Sequence, residues 1–300
     1  FLFKLDWNIN NNNNIYLRAN LLDAEQQKPP HPFAISFNNT GRGPNQNTLP
    51  FQKSGYNMNN ELNSYALELN SRYETFANRF FVSYNVFRDL REPFSRAFPT
   101  IEIAENGITY TTIGHEPFSI HNILDQNVLQ ITNNFSYYLG KHVVTVGGTF
   151  EYFDFFNSFN LFRYGFMGFN TWPGQTAFAS IQDFLDATDP ANPRDFGSFI
   201  TPESVPYKGE FIEVGQLSFY AQDEFLISNQ FSLTYGVRMD LPMYFTEPVD
   251  NPWSRGLKLL DEDDNPETVD QSKLPGASPL FSPRIGFNWD LTGDRSTQLR

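Results

Sequence analysis

Between Phe231 and Phe245 the chain alternates without a break. The odd positions are Phe231, Leu233, Tyr235, Val237, Met239, Leu241, Met243 and Phe245; between them lie Ser232, Thr234, Gly236, Arg238, Asp240, Pro242 and Tyr244. Successive side chains of a strand project to opposite faces, so this segment makes a ribbon with one apolar face and one polar or small face. A tilted strand crosses membrane hydrocarbon in about 9–11 residues. This one does so with residues to spare.

The same period recurs along the chain. In 1–9, Phe1, Phe3, Leu5, Trp7 and Ile9 oppose Lys4, Asp6 and Asn8; in 15–21, Ile15, Leu17, Ala19 and Leu21 oppose Tyr16, Arg18 and Asn20. In 64–73, Tyr65, Leu67, Leu69 and Tyr73 oppose Ser64, Glu68, Asn70 and Arg72. Further strands are predicted at 78–89, 127–138, 142–156, 214–226 and 283–291, and a tenth begins near Thr297. Asn133 and Asp223 fall on the apolar side and break the pattern. Asp223 lies near a turn, where headgroup water can hydrate it; Asn133 has no such account.

The connections alternate too. Short ones fall at Asn10–Asn14, Thr75–Asn78, Leu139–Lys141, Ile227–Gln230 and Thr292–Ser296, and long ones at about 23–63, 90–126, 157–213 and 246–282. The short set is rich in Gly, Asn and Asp, which tolerate the positive φ of tight turns. A strict short–long alternation sends every long loop to one side. Short periplasmic turns opposite long extracellular loops are the pattern of an outer-membrane barrel. Aromatics bracket the short turns (Trp7, Tyr73, Phe80, Tyr137, Tyr138, Phe225, Phe231, Trp289) as a periplasmic girdle does. A soluble β-sandwich with an aromatic core is the rival, but sandwiches place turn signals every 8–12 residues or so and rarely carry four loops of this size.

Composition agrees with lipid as the solvent. Aromatics make up 17% of the chain, with 32 Phe and 14 Tyr, while charged residues are only 18% and the mean hydropathy is −0.45. A barrel shows Phe to lipid and Asn, Ser and Gln to a wet interior, so it needs few charges. No apolar run approaches the 18 or so residues of a spanning helix, which leaves strands as the route across a bilayer, since every backbone group must be paired there. There are no cysteines, hence no disulfides or thiolate metal sites, and the net charge of −13 disfavours nucleic acid. The chain opens on Phe-Leu-Phe and stops at Gln298-Leu299-Arg300 within a strand-like pattern. It reads as an excerpt of a longer polypeptide.

Several stretches resemble the barrel of TonB-dependent outer-membrane receptors. Leu217-Ser-Phe-Tyr-Ala-Gln-Asp-Glu-Phe225, followed by Phe231-Ser-Leu-Thr-Tyr-Gly-Val-Arg-Met-Asp240, is similar to the Y-x-Q-D-E … L-T-x-Y-G-x-R-x-D/E hairpin of those barrels, and Phe281-Ser-Pro-Arg-Ile-Gly-Phe-Asn-Trp-Asp290 to their S-P-R-x-G strand. Ala66–Ser71, Arg88–Pro93 and Phe98–Ile103 look like the Oar-like subgroup, whose members often carry an N-terminal carboxypeptidase-regulatory-like domain. The resemblance implies an all-β fold: an antiparallel transmembrane β-barrel of roughly 22 strands with a plugged lumen, of which residues 1–300 supply about ten strands. It implies extracellular ligand binding and import driven by the TonB complex. The plug and any TonB-contacting segment would precede Phe1. The expected partners are outer-membrane lipid, the protein's own plug, TonB and an extracellular ligand.

Candidate site residues follow from the two faces and the loops. The charges expected to line the lumen are Arg18, Glu68, Arg72, Glu151, Glu224, Arg238, Asp240, Arg284 and Asp290. They can line a path or hold a plug through charge-assisted hydrogen bonds, although cross-strand pairing is the simpler account of each. Phe159, Phe162, Tyr164, Phe166, Phe169 and Trp172 crowd the longest loop and can either grip an apolar or sugar-like ligand or pack that loop. Asp261, Asp263 and Asp264 offer oxygen ligands for Ca²⁺. They lack the glycine and distal Glu of an EF-hand, and a solvated acidic loop is the simpler account. His31, His115, His121 and His142 share no i,i+4 spacing, so zinc is not expected.

No G-x-S-x-G, H-E-x-x-H or phosphate-cradling loop occurs, and neither an enzyme nor a cofactor is expected. Two rival functions remain: a passive porin, which would share the strands but usually has shorter loops, and a secreted adhesin or glycan-binding module, which would need no detergent.

Overall fold

The computed structural model describes residues 1–31, 43–96, 98–119, 121–161, 166–167 (backbone only), 178–193, 208–268 and 270–300. The chain runs through β1 (Leu2–Asn10), β2 (Asn13–Lys28), a 3-10 turn (Gln52–Ser54), β3 (Tyr56–Arg72) and β4 (Phe76–Pro93). Then come β5 (Thr100–Glu105), β6 (Ile108–Ile113), β7 (Asn122–Leu139), β8 (His142–Ser158), β9 (Phe166–Met167) and α1 (Ile181–Ala187). The remainder holds β10 (Glu210–Ser228), β11 (Phe231–Tyr244), α2 (Pro252–Arg255), β12 (Leu259–Leu260), β13 (Pro266–Glu267), β14 (Leu280–Asp290) and β15 (Gln298–Leu299).

Ten strands form one sheet in the order β1-β2-β3-β4-β7-β8-β10-β11-β14-β15, and every neighbouring pair is antiparallel. This is the up-and-down arrangement of the predicted barrel wall. All ten expected strands are present. Because the meander has no crossover, the connections β2–β3, β4–β7, β8–β10 and β11–β14 leave from one end and the short turns from the other. At the short end Gly140 takes φ +60, which a side chain would resist.

The register fixes the two faces. Ile131, Phe150, Leu217 and Leu241 lie in one cross-strand row, and Phe135, Val146, Ala221, Val237 and Pro283 in another. No other element covers this apolar face among the described residues: Ile285 is 80% exposed and Phe281 66%. In water such a surface would aggregate; in lipid it is solvated. Buried hydrophobics lie elsewhere, at Tyr56, Ile101, Ile103, Ala104, Phe178 and Ala187. Among the described residues no core lies against the sheet, as the soluble-sandwich rival would require.

The strands run further than alternation foretold. β2 reaches Lys28 rather than Leu21, and β3 starts at Tyr56 rather than Ser64, so the loops are shorter than expected. In these extensions the formerly apolar side turns polar: Asp23 pairs with Glu61, Glu61 with Arg88, and Arg88 with Asp125. Ladder hydrogen bonds continue into water, but the hydrophobic signal ends with the hydrocarbon. A second correction concerns Tyr138, which sits on the polar face while Tyr137 sits on the apolar one.

The two misfits do lie on the apolar face. Asp223 accepts hydrogen bonds from His142 Nδ1 at 2.6 Å and from the Tyr235 hydroxyl at 2.7 Å, so its charge is met by neighbours at the short-turn end. Asn133 lies opposite Gly148 in a shallow dent walled by Ile131, Phe135, Val146 and Phe219. Its side chain makes no hydrogen bond among the described residues.

Candidate functional site: the polar wall and the knitted loops

All nine charges expected in the lumen share the polar face, as the register shows: Arg18 pairs with Ala66, Glu68 with Phe81, Glu151 with Gln216, Glu224 with Thr234, and Gly236 with Arg284. Two groups are brought together. Arg238 Nε donates to both Asp240 oxygens at 2.8 and 3.0 Å, and its other nitrogen donates to Ser218 Oγ at 2.8 Å. Ser218 and Gln216 also donate to Asp240, at 2.6 and 2.9 Å. Glu68 accepts from Arg79 at 2.8 Å and from Asn70 at 2.8 Å, with Arg18 3.9 Å away. Arg79, missed as a site residue, was legible in the alternation of its strand.

The other five stand apart. Asp290 caps the last short turn, accepting the amides of Gly293 at 2.9 Å and Arg295 at 3.1 Å. Glu151, Glu224, Arg72 and Arg284 form no ion pair among the described residues. Tyr220 lies across Gly147, where a Cβ would come within 2.4 Å of its ring, and the Arg238 guanidinium sits 5.9 Å from the ring centroid.

At the long-loop end, three connections knit together. Ile101–Glu105 and Ile108–Ile113 pair as a hairpin around Asn106 and Gly107, at φ 54 and 77. Residues 43–55 lie beside it: Leu49 N–H donates to the Tyr110 carbonyl at 3.1 Å and Phe51 N–H to the Thr112 carbonyl at 2.9 Å. From the third loop, β9 pairs in parallel with β5, and Ala104 N–H donates to the Phe178 carbonyl at 2.9 Å. Ile101, Ile103, Phe178 and Ala187 close a small core, with Phe184 edge-on to Phe178 at 5.2 Å. Ser180 caps α1 by accepting from Asp183 N–H at 3.0 Å.

This cap also buries ionisable groups. Glu102 and Glu116 are fully buried. Glu116 accepts the amides of His31 at 3.3 Å and Phe118 at 2.8 Å. His115 is 3% exposed, with Nδ1 2.9 Å from Ser95 Oγ, and its carbonyl accepts from the Thr100 hydroxyl. Burial pushes the His115 imidazole down to about 4, against the opposing pull of Glu116.

The loop aromatics are not gathered by the described residues. Phe159 is exposed; Phe166 contributes backbone to β9; Phe162, Tyr164, Phe169 and Trp172 lie outside the described residues. Asp261 Oδ1 accepts the amides of Asp263 at 2.9 Å and Asn265 at 2.8 Å, and Asp264 takes φ 62. Its carboxyl is held below the usual range, first by the Asn265 amide. The acidic run is thus a self-capped turn, and among the described residues no cluster of His, Cys, Asp or Glu is arranged to hold a metal ion.

The family model for the outer membrane beta barrel domain matches residues 1–300. The chain belongs to that family. It is therefore an outer-membrane protein whose strands cross lipid. Among solved structures it is similar to the ferric-catecholate import receptor Fiu from E. coli K12 in its closed form, with a TM-score of 0.51 and 13% identity over 97% of this chain and 41% of that one. The siderophore receptor PiuA from Acinetobacter baumannii gives a TM-score of 0.49 and 11% identity, covering 97% of this chain and 40% of that one. At these identities the likeness to Fiu is one of fold. No curated protein matches the chain. The chain spans about two fifths of the solved receptors.

Proposed function

We propose that this chain is part of the barrel of a TonB-dependent receptor, with residues 1–300 lacking the plug and N-terminal domains, and that it imports an extracellular ligand into the periplasm. The carrying observation is the knitted cap: at one end of an outer-membrane barrel wall two long loops share a small core, and a third is hydrogen-bonded to them along its backbone. A passive pore gains nothing from such a cover, whereas a receptor needs ordered surface outside the membrane to grip its ligand. The hairpin and the S-P-R strand quoted above add the receptor resemblance, and the three further segments add the Oar-like one. The polar face, on this reading, lines the lumen, and its paired charges keep the wall soluble towards water or towards a plug.

The test is uptake by cells carrying the full-length receptor, with TonB present or deleted. Binding retained and uptake lost on deletion is the expected result; uptake persisting without TonB makes the protein a porin. Removing residues 160–205 separates the loop's roles. Lost binding with a folded barrel assigns the grip to that loop together with the cap core it supplies, and intact binding assigns its aromatics to packing.

A further inference from the structure

The lipid face of the wall is not evenly filled. Along β8 it carries His142, Val144, Val146, Gly148 and Phe150, and the register sets each between neighbours on β7 and β10. Tyr137 and Phe135 stand on one side, Phe225 and Phe219 on the other, so small side chains run between aromatic ones. The result is a groove. It deepens at Gly148 into the dent opposite Asn133, and Phe150 closes its far end. From His142 to Gly148 is six residue steps, about 20 Å at about 3.3 Å each. With the strand tilted by about 40°, that is about 15 Å of depth, half of a hydrocarbon core about 30 Å thick. One acyl chain covers that distance, from headgroup level to the midplane.

The mouth of the groove is polar. His142 Nδ1 donates to Asp223 Oδ2 at 2.6 Å, and its ring lies flat on Phe225, with 4.2 Å between centroids and 3° between planes. The imidazole is thereby held in place, and its Nε2 makes no hydrogen bond among the described residues. Asp223 Oδ1 is buried and accepts none either. Ionisable groups on the lipid side are expensive and mark a functional site more often than a structural one. Lys141 precedes His142 at the turn, exposed and without an ion pair among the described residues, and its Nζ donates to the Ile227 carbonyl at 3.1 Å. Both neighbouring strands are present here, and the cluster lies on the apolar face, away from whatever fills the lumen.

We propose that this groove binds one phospholipid of the leaflet at the short-turn end, which the receptor reading makes the periplasmic one. Its phosphate meets His142 Nε2, with Lys141 adding positive charge at the same turn, and one acyl chain lies along β8 with its end in the Gly148 dent. An imidazole that takes its second proton donates to the phosphate through Nε2 while Asp223 keeps Nδ1. Carboxylate, imidazolium and phosphate then alternate in sign. The site requires that the strands cross lipid and does not require transport.

Full-length receptor, stripped of lipid in detergent, is titrated with dipalmitoylphosphatidylglycerol, and bound lipid is counted by native mass spectrometry. Dipalmitoylglycerol, with the same chains and no phosphate, is the second probe. Wild type binds the phospholipid at one saturable site and the diacylglycerol at least about tenfold more weakly. Gly148→Leu fills the dent, leaves the headgroup residues intact and weakens phospholipid binding at least about tenfold. His142→Gln does the same, Lys141→Gln costs less, and Leu17→Val, on the lipid face of a distant strand, changes nothing. Should His142→Gln fail to fold, Gly148→Leu decides alone. Equal binding by wild type and Gly148→Leu, equal binding of the two lipids, or no saturable site in wild type overturns the proposal. None of these readouts involves uptake, so a failure here is distinct from a failure of the transport reading.

Discussion

The wall and the cap are both antiparallel β-structure, yet each is stabilised by what the other avoids. The wall turns Ile285, Phe281 and Phe219 outward and holds no buried apolar cluster, whereas the cap encloses Phe178 completely and packs Ile101 and Ile103 around it. The wall keeps most of its charges on the polar face, some of them in short-range pairs such as Arg238–Asp240. The cap takes His115, Glu102 and Glu116 out of water. The difference follows from the solvent. In lipid the hydrophobic effect does not hold strands together, so satisfied backbone ladders do; above the membrane the cap must build a core as any small domain does.

If that contrast is right, damage should stay where it is made. Phe178→Ala removes the centre of the cap core and should cost it about 3–5 kcal/mol. Hydrogen exchange should then quicken across β5, β6 and α1 while β8 and β10 keep their protection. Equal loss in both regions would mean cap and wall fold as one unit.

The wall should be sensitive by face. Leu233→Arg places a guanidinium on the lipid side and should cost about 2–4 kcal/mol near the midplane. Thr234→Arg, next along the strand but on the polar face, should cost far less. Folding titrations into lipid vesicles would falsify the assignment of faces by ranking the two in reverse.

Acid should act on the cap and spare the wall. His115 is held neutral at about 4, below the 6.5 of a free imidazole. Its contribution is therefore complete above pH 6.5 and is lost as pH falls from there through 4, to a total of about 3 kcal/mol. Proteolysis within 98–119 should accelerate over that interval, and His115→Gln should remove the acceleration between pH 6.5 and 5. A wild-type cap as resistant at pH 4.5 as at pH 7 would show that His115 is not buried in this way.

How legible each region was in the sequence follows from the same physics. Where lipid acts on one face, alternation is strong, and the nine full strands and all nine polar-face charges could be read from residue parity alone. Above the membrane both faces meet water. There Asp23, Glu61 and Asn59 erase the alternation although β2 and β3 continue, and the loops were overestimated as a result. The β5–β6 hairpin did leave a signal, Asn106-Gly107 between two alternating runs, which is a strong mark of a tight hairpin. The packing of 43–55, Phe178 and α1 onto it left none, because those contacts join residues far apart in the chain. In the acidic turn, a carboxylate that caps its own backbone has the same sequence signature as one placed for a cation, so residue types alone do not separate the two.

Orientation is the most direct test, since wall, cap and receptor reading all require the long connections to lie outside the cell. Single cysteines at Asn106, Leu49 and Asp250 in the loops, and at Gly140 and Asp294 in the short turns, should be exposed on intact cells to a thiol reagent that cannot cross the outer membrane. The account predicts labelling of the three loop positions and none of the two turn positions until the membrane is opened. Labelling of both sets on intact cells, or of the turns alone, would contradict it.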